Sequence, residues 1–236
     1  MTGTLVHLFV AMLAFLASHF VLSSRSVRDP LVAQLGERPF LGLYSLAAAL
    51  MLTWTISAYI DAPTVELWSV PTAVKHITLT VVLLSAILIA ASVSPNNPAV
   101  AGAPTPRLEE GPRGIFRITR HPFMWGVGLW ALTHLAANGD AASQILFGGF
   151  AILALVGTMH TDSRKRRLIG PAWEAYARQS AHVPFVAIAQ GRTRLNWSEI
   201  GWRPVILGAV LYLVLLVLHE PVIGIAPMSL VSGIFG

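Results

Sequence analysis

Residues 114–140 read GIFRITRHPFMWGVGLWALTHLAANGD, and the contrast between the two ends of this stretch decides the fold. Arg117, Arg120 and His121 crowd its start, Pro122 to Ala137 then runs on without a single Asp, Glu, Lys or Arg, and Asn138-Gly139-Asp140 closes it. His121 precedes a proline and is pushed away from helical backbone, while Pro122 suits the first position of a helix, where its missing N–H would be unpaired anyway. The spacing predicts a helix from Pro122 that ends at Asn138, with Gly139 in the left-handed position after the helix and Asp140 capping the next one. The apolar run beginning at Ala141 then returns antiparallel to the first.

Outward from that hairpin the pattern repeats. Apolar runs predict spans at about 4–22, 40–60, 73–93, 122–137, 141–160 and 202–219, with Lys75 and Arg203 at the edges of the third and sixth. Each reaches or nearly reaches the roughly 20 residues that carry a helix across ~30 Å of hydrocarbon. Counting Arg203 at the edge of the sixth span with the loop before it, fifteen of the sixteen Lys and Arg residues fall between spans one and two, three and four, or five and six. By the positive-inside rule those loops are cytoplasmic and both termini lie outside. The expectation is an all-α, polytopic membrane helix bundle of about six transmembrane helices, N-out and C-out, formed by a single domain over 1–236.

Composition excludes the competing classes. With 55% apolar and 11% charged residues, a soluble helical protein is ruled out. The formal charge of +5 could suggest nucleic acid, but the basic residues sit against span ends, where an anionic inner leaflet attracts them; the expected partner is the lipid bilayer. The first run has no basic residue before it and reads as a permanent helix inserted N-terminus outward, not a cleaved signal. The absence of Cys excludes disulfides, CxxCH haem attachment, iron–sulfur clusters and thiolate-bound zinc. No GxGxxG, Walker A or HExxH pattern occurs.

The irregular sequence at 94–106, with its four prolines, cannot be regular helix. Pro171 marks a helix start after the fifth span, and Trp173 and Tyr176 share one face of that helix, predicting an amphipathic element of aromatic-belt character lying in the interface. The tail, Pro221 to Gly236, is apolar but interrupted by Pro221, Pro227 and glycines, and reads as an interfacial or re-entrant cap.

Eight histidines in so apolar a chain point to chemistry, because an imidazole at membrane depth needs a partner or a ligand. His19 and His134 lie well inside spans. Facing histidines on separate helices are how a bundle holds a b-type haem. Counted from the inner face the two differ in height by roughly 12 Å at 1.5 Å rise per residue, so His7, nearer the outer face, competes with His19 as the partner of His134. A second constellation, Arg113, Arg117, Arg120 and His121, gathers guanidinium groups at a helix N-terminus, an anion site for haem propionates, a lipid head group or the carboxylate of S-adenosylmethionine. Arg117 and Arg120 are the expected propionate holders. Asp162 with Arg164 to Arg167, directly after the fifth span, reads as an ion-paired carboxylate that could orient His121 or a ligand head group.

The 114–140 run, together with ASHFVLSSR (17–25), LGERPF (35–40) and VPFVAIAQGR (183–192), resembles the NnrU family of integral membrane proteins over nearly the whole chain. The resemblance implies a multi-pass protein of the bacterial inner membrane linked to denitrification. It also implies kinship with the 15-cis-zeta-carotene isomerases, which use haem b to flip one carotenoid double bond. Their axial histidines match His19 in SHFVLSSR and His134 in WALTH, and Ala131 stands where those isomerases carry a cysteine. A more distant similarity, to isoprenylcysteine carboxyl and phospholipid methyltransferases, rests on Gly111-Pro112, Arg120-His121-Pro122 and the later Asp162, Gly170, Tyr176, Pro184 series. It implies S-adenosylmethionine held around Arg120, His121 and Asp162. The expected activity is thus haem-linked, redox or isomerising, on an apolar or small-molecule substrate. A membrane methyltransferase and a cofactor-free assembly factor are the alternatives.

Overall fold

A computed structural model describes residues 3–93, Asn97 and 106–227, the side chains of Pro106 and Arg107 excepted. The expectations for the proline-rich stretch at 94–106 and for the end of the C-terminal tail fall largely outside the described residues. In chain order the helices are α1 Leu5–Ser23, α2 Arg25–Leu35, α3 Glu37–Asp61, α4 Thr72–Ser92, α5 Pro106–Glu109, α6 Pro122–Ala137, α7 Ala141–Ile169, α8 Pro171–Gln179, α9 Val186–Ala189, α10 Trp197–Ile200 and α11 Arg203–Ile223. A 3₁₀ turn covers Gly114–Arg117. No strand occurs among the described residues, and Glu66 and Asp140 form an isolated antiparallel bridge.

The chain is an all-helical polytopic membrane protein. Helices α1, α3, α4, α7 and α11 are long and apolar enough to cross a bilayer. At 16 residues α6 reaches about 24 Å, short of the ~30 Å hydrocarbon layer. Apolar side chains such as Leu46, Leu50, Leu207 and Leu213 point outward, each more than half exposed. In lipid that outward face costs nothing, and helices associate through small residues that let backbones approach.

The chain divides into two compact units, Met1–Val70 with His134–Leu153, and Pro71–Thr133 with Ala154–Gly236. In the first, α1 buries Leu8, Ala11, Met12 and Phe15, a stripe at helical spacing. Leu8 and Ala11 pack with Ala58, Ala62 and Ala142. The segment after α3 is stitched to the α6–α7 turn: Leu67 N–H donates to the Gly139 carbonyl (2.7 Å) and Ala141 N–H to that of Val65 (2.9 Å). Asp140 caps α7 as expected, its Oδ1 accepting from Ser143 N–H at 2.9 Å. Gly139, however, is not left-handed. A Cβ there would stand 1.9 Å from the Trp68 carbonyl oxygen, so close approach and not dihedral freedom requires glycine.

In the second unit α4 packs on α11, where a Cβ on Gly208 would lie 2.5 Å from the Ile87 Cα. Ser85 Oγ donates to the Gly126 carbonyl at 2.5 Å, joining α4 to α6. Ala91, Ile115, Phe116 and Ile118 form a buried cluster beneath α9 and α10.

The basic first loop contains α2, an amphipathic helix ended by Gly36 at φ +88°. Besides that at Gly139, two expectations need correction. Helix α7 does not stop at His160 but runs to Ile169, because nothing in TDSRKRRLI breaks a helix until Gly170 (φ +66°) and Pro171. Helix α8 starts at Pro171 as predicted, yet Trp173 and Tyr176 are 0% and 2% exposed, packed with Leu108 and Ile169. The aromatic face is turned into the protein, because the 106–109 segment covers it, and it forms no interfacial belt.

Candidate functional site

In the second unit the residues before α6 meet a strap, 181–185, that follows α8. Arg120 N–H donates to the Ala181 carbonyl and Phe185 N–H to that of Ile118, both at 2.9 Å. Thr119 Oγ1 (2.8 Å) and Trp125 Nε1 (2.7 Å) both donate to the carbonyl of His182. Phe185 turns the strap with φ +65°, a left-handed conformation that a bulky side chain adopts only under constraint.

Helix α7 supplies Thr158 and Asp162, one turn apart, to the same place. The Asp162 carboxylate accepts from Arg120 Nε (2.9 and 3.0 Å) and Nη2, and lies 2.7 Å from His121 Nε2 through its Oδ1. The edge of the Arg120 fork therefore sits across one carboxylate, the strongest geometry available to this pair. Its partner is Arg120, 42 positions away, and not the adjoining Arg164 to Arg167 run. His182 faces His121 with ring centroids 5.9 Å apart, and its Nε2 is 3.3 Å from Thr158 Oγ1. His121, Thr119 and Thr158 are buried, whereas His182 is half-buried and forms the open side. Burial, then the neighbouring His121, lowers the pKa of His182, with Asp162 opposing. Burial pushes the Tyr176 hydroxyl well above its ordinary range, Arg120 pulling the other way.

Of the expected anion-site residues, Arg120, His121 and Asp162 come together here. Arg117 and Arg113 take other partners. Arg117 forms a two-point pair with Glu199, Nε to Oε2 and Nη2 to Oε1, both at 2.8 Å. Gly114 N–H also donates to Glu199 Oε2 at 2.8 Å. These bonds, those from Arg117 first, hold the Glu199 carboxyl down at about 2. Arg113 pairs with Glu110 at the surface (3.2 Å). A cavity of about 320 Å³ opens beside Arg113, Phe116, Glu199 and Pro204.

The interior histidines both belong to the first unit. His19 Nδ1 lies 2.8 Å from the Phe15 carbonyl, and its ring packs on Phe15 (4.4 Å) and edge-on to Tyr44 (5.7 Å). Phe15 in turn meets Phe150 on α7 at 5.7 Å. One turn away on α7, Phe147 packs on His134 at 4.8 Å. His7 is exposed and its Nε2 accepts from Trp54 Nε1 at 2.9 Å. A ligating imidazole normally gives its second N–H to a carbonyl, and His19 makes that bond to Phe15.

His182 and Glu199 were not recognised from sequence. His182 meets side chains 20 to 63 positions away and Glu199 pairs with Arg117 82 positions away, and only the Val-Pro after His182 hinted at a fixed strap.

Fold and site define an all-helical polytopic membrane protein with two interior histidines among aromatic rings and a buried Arg–Asp–His cluster where α6 begins. Comparison with protein families narrows the class: the family described as "NnrU protein" matches residues 7–227, and the chain belongs to that family. It is also similar to the 15-cis-zeta-carotene isomerase of Zea mays, 34% identical over 96 residues, which is 41% of this chain and 26% of the relative. The enzyme of the same name from Arabidopsis thaliana is 32% identical over 93 residues, 39% and 25% of the two chains. The matched segment thus spans about a quarter of the length of these curated relatives. No solved structure matches.

Proposed function

We propose that this NnrU-family protein binds haem b through His19 and His134 and acts, in a bacterial inner membrane, as an isomerase of cis double bonds in an apolar polyene. The observation that carries this reading is that both histidines belong to one unit, His19 packing on Phe15, which meets Phe150 on α7, and His134 packing on Phe147 one turn away on the same helix. The similarity to zeta-carotene isomerases supports the reaction class. Bound haem b would supply a redox-active iron able to exchange an electron with a conjugated π-system. The Phe15 carbonyl fixes the His19 tautomer with Nδ1 protonated, which leaves the Nε2 lone pair as the one that would bind iron. The phenylalanine rings exclude water and offer an apolar surface to a substrate arriving from lipid. A role in nitrogen-oxide metabolism would draw on the same ligands with a small polar substrate in place of the polyene.

The test is the oxidised and dithionite-reduced visible spectrum of the purified protein, with His19→Ala and His134→Ala variants. A Soret band with sharp reduced α and β bands, lost in both variants, is the expected result, followed by conversion of a cis-carotenoid under reducing conditions. Haem without conversion, but with consumption of nitrite or nitric oxide, would favour the denitrification role. A flat spectrum from haem-supplied cells would sink the haem reading, and calorimetric binding of S-adenosylmethionine would then favour a methyltransferase centred on Arg120, His121 and Asp162.

A further inference from the structure

We propose that His121, Asp162 and His182 form a binding site for one divalent transition-metal ion, separate from the interior histidine pair. One ligand atom from each residue can be chosen so that all three lie within 4.8 Å of one another. That separation lets a single ion reach all three donors with small side-chain rotations. Two imidazoles and one carboxylate form a donor set that first-row divalent ions accept while keeping further coordination positions open.

The surroundings have the features that a metal site needs outside its ligands. Asp162 is gripped by Arg120, and a carboxylate has about four lone-pair positions, so Arg120 can keep its hold while Oδ1 turns to an ion. His182 is anchored through its carbonyl by Thr119 and Trp125, and therefore offers its ring from a fixed backbone. His121 is held by the fixed entry into α6 at Pro122. The half-buried His182 leaves one side for an ion to enter, while the buried His121 and Asp162 close the other.

The charge balance selects the ion. Arg120 already neutralises the one carboxylate, so the cluster lacks the surplus of oxygen anions on which Ca²⁺ and Mg²⁺ rely. Binding must come from imidazole nitrogen, which favours Co²⁺, Zn²⁺ and Fe²⁺.

The experiment uses the full chain in detergent, freed of any purification tag and stripped with a chelator, titrated with Co²⁺ and followed by its visible d–d bands and by calorimetry. The expected result is one Co²⁺ per chain, displaced by Zn²⁺ but not by excess Mg²⁺, with affinity at least about 100-fold weaker in His182→Gln. Since His182 lies on the open side, that variant keeps the buried Arg120–Asp162 pair, and its unchanged thermal unfolding without metal verifies the fold. His76→Gln, outside the cluster, should bind as the parent does. The His19→Ala/His134→Ala double variant should also retain Co²⁺, which separates this site from the haem reading whether or not haem binds. Absence of d–d bands, equal affinity in His182→Gln, loss of Co²⁺ in the His19/His134 variant, or equal competition by Mg²⁺ would each overturn the proposal.

Discussion

Arg117 and Glu199, 82 positions apart, meet fork to fork at 2.8 Å on both sides, tying the 3₁₀ turn before α6 to the short helix before α11. The bond holds Glu199 at about 2, well below its ordinary 4.5. A carboxyl depressed in the folded state contributes stability above its unfolded pKa, and that contribution disappears as pH falls through the folded value. Thermal unfolding in detergent should therefore show the parent losing stability between about pH 4.5 and 2 relative to Glu199→Gln, whose curve is flatter there. Both side chains keep about a fifth of their surface exposed (24% and 21%), so high salt should shrink the difference, which is about 1 kcal/mol at most. Parallel pH curves would contradict this role.

Arg120 and Asp162 are buried to within 9% and 8% of full exclusion. Asp162→Ala leaves the guanidinium without its counter-charge and should cost about 3–5 kcal/mol, whereas a paired replacement, Arg120→Met with Asp162→Leu, should recover much of that. Unfolding by mixed-micelle titration of the single and double variants checks it; a cost below about 1 kcal/mol in Asp162→Ala would mean the pair is open to water.

Gly139→Ala should destabilise by about 1–3 kcal/mol, because its Cβ would meet the Trp68 carbonyl oxygen. Gly148→Ala, in α7 with nothing within 4 Å, is the matched control and should be neutral or stabilising by up to about 1 kcal/mol. Equal melting temperatures in the two variants would remove the case for backbone contact at the α6–α7 turn.

Trp173→Ala should cost about 3–5 kcal/mol if the indole fills a core beside Leu108 and Tyr176. A membrane-surface indole would lose far less. Its buried Nε1 has no hydrogen-bond partner among the described residues, so Trp173→Phe should be tolerated better than a fully bonded tryptophan would be. Quenching by an aqueous agent, compared in parent and Trp173→Phe, should reveal no accessible component from this residue.

Long-period patterns were legible without coordinates. Apolar runs between basic clusters identified the membrane helices, since lipid imposes one requirement on every spanning residue and leaves it visible in composition. The helix start at Pro122 and the cap at Asp140 were readable too, because both act over three or four positions. Of the site, Arg120, His121 and Asp162 stood out as polar residues at the edges of apolar runs.

Tertiary structure alone decided which of these residues meet. Asp162 binds Arg120 and His121 instead of the arginines beside it, His182 completes the cluster from a strap twenty positions further on, and Trp173 turns inward against Leu108. Such pairings depend on where distant segments are brought in space, and a one-dimensional pattern records only what each residue requires of its near neighbours and its solvent. The sequence by itself thus determined a membrane-embedded helical chain and its chemically active residue types, while packing determined the partners that set their charge, orientation and access.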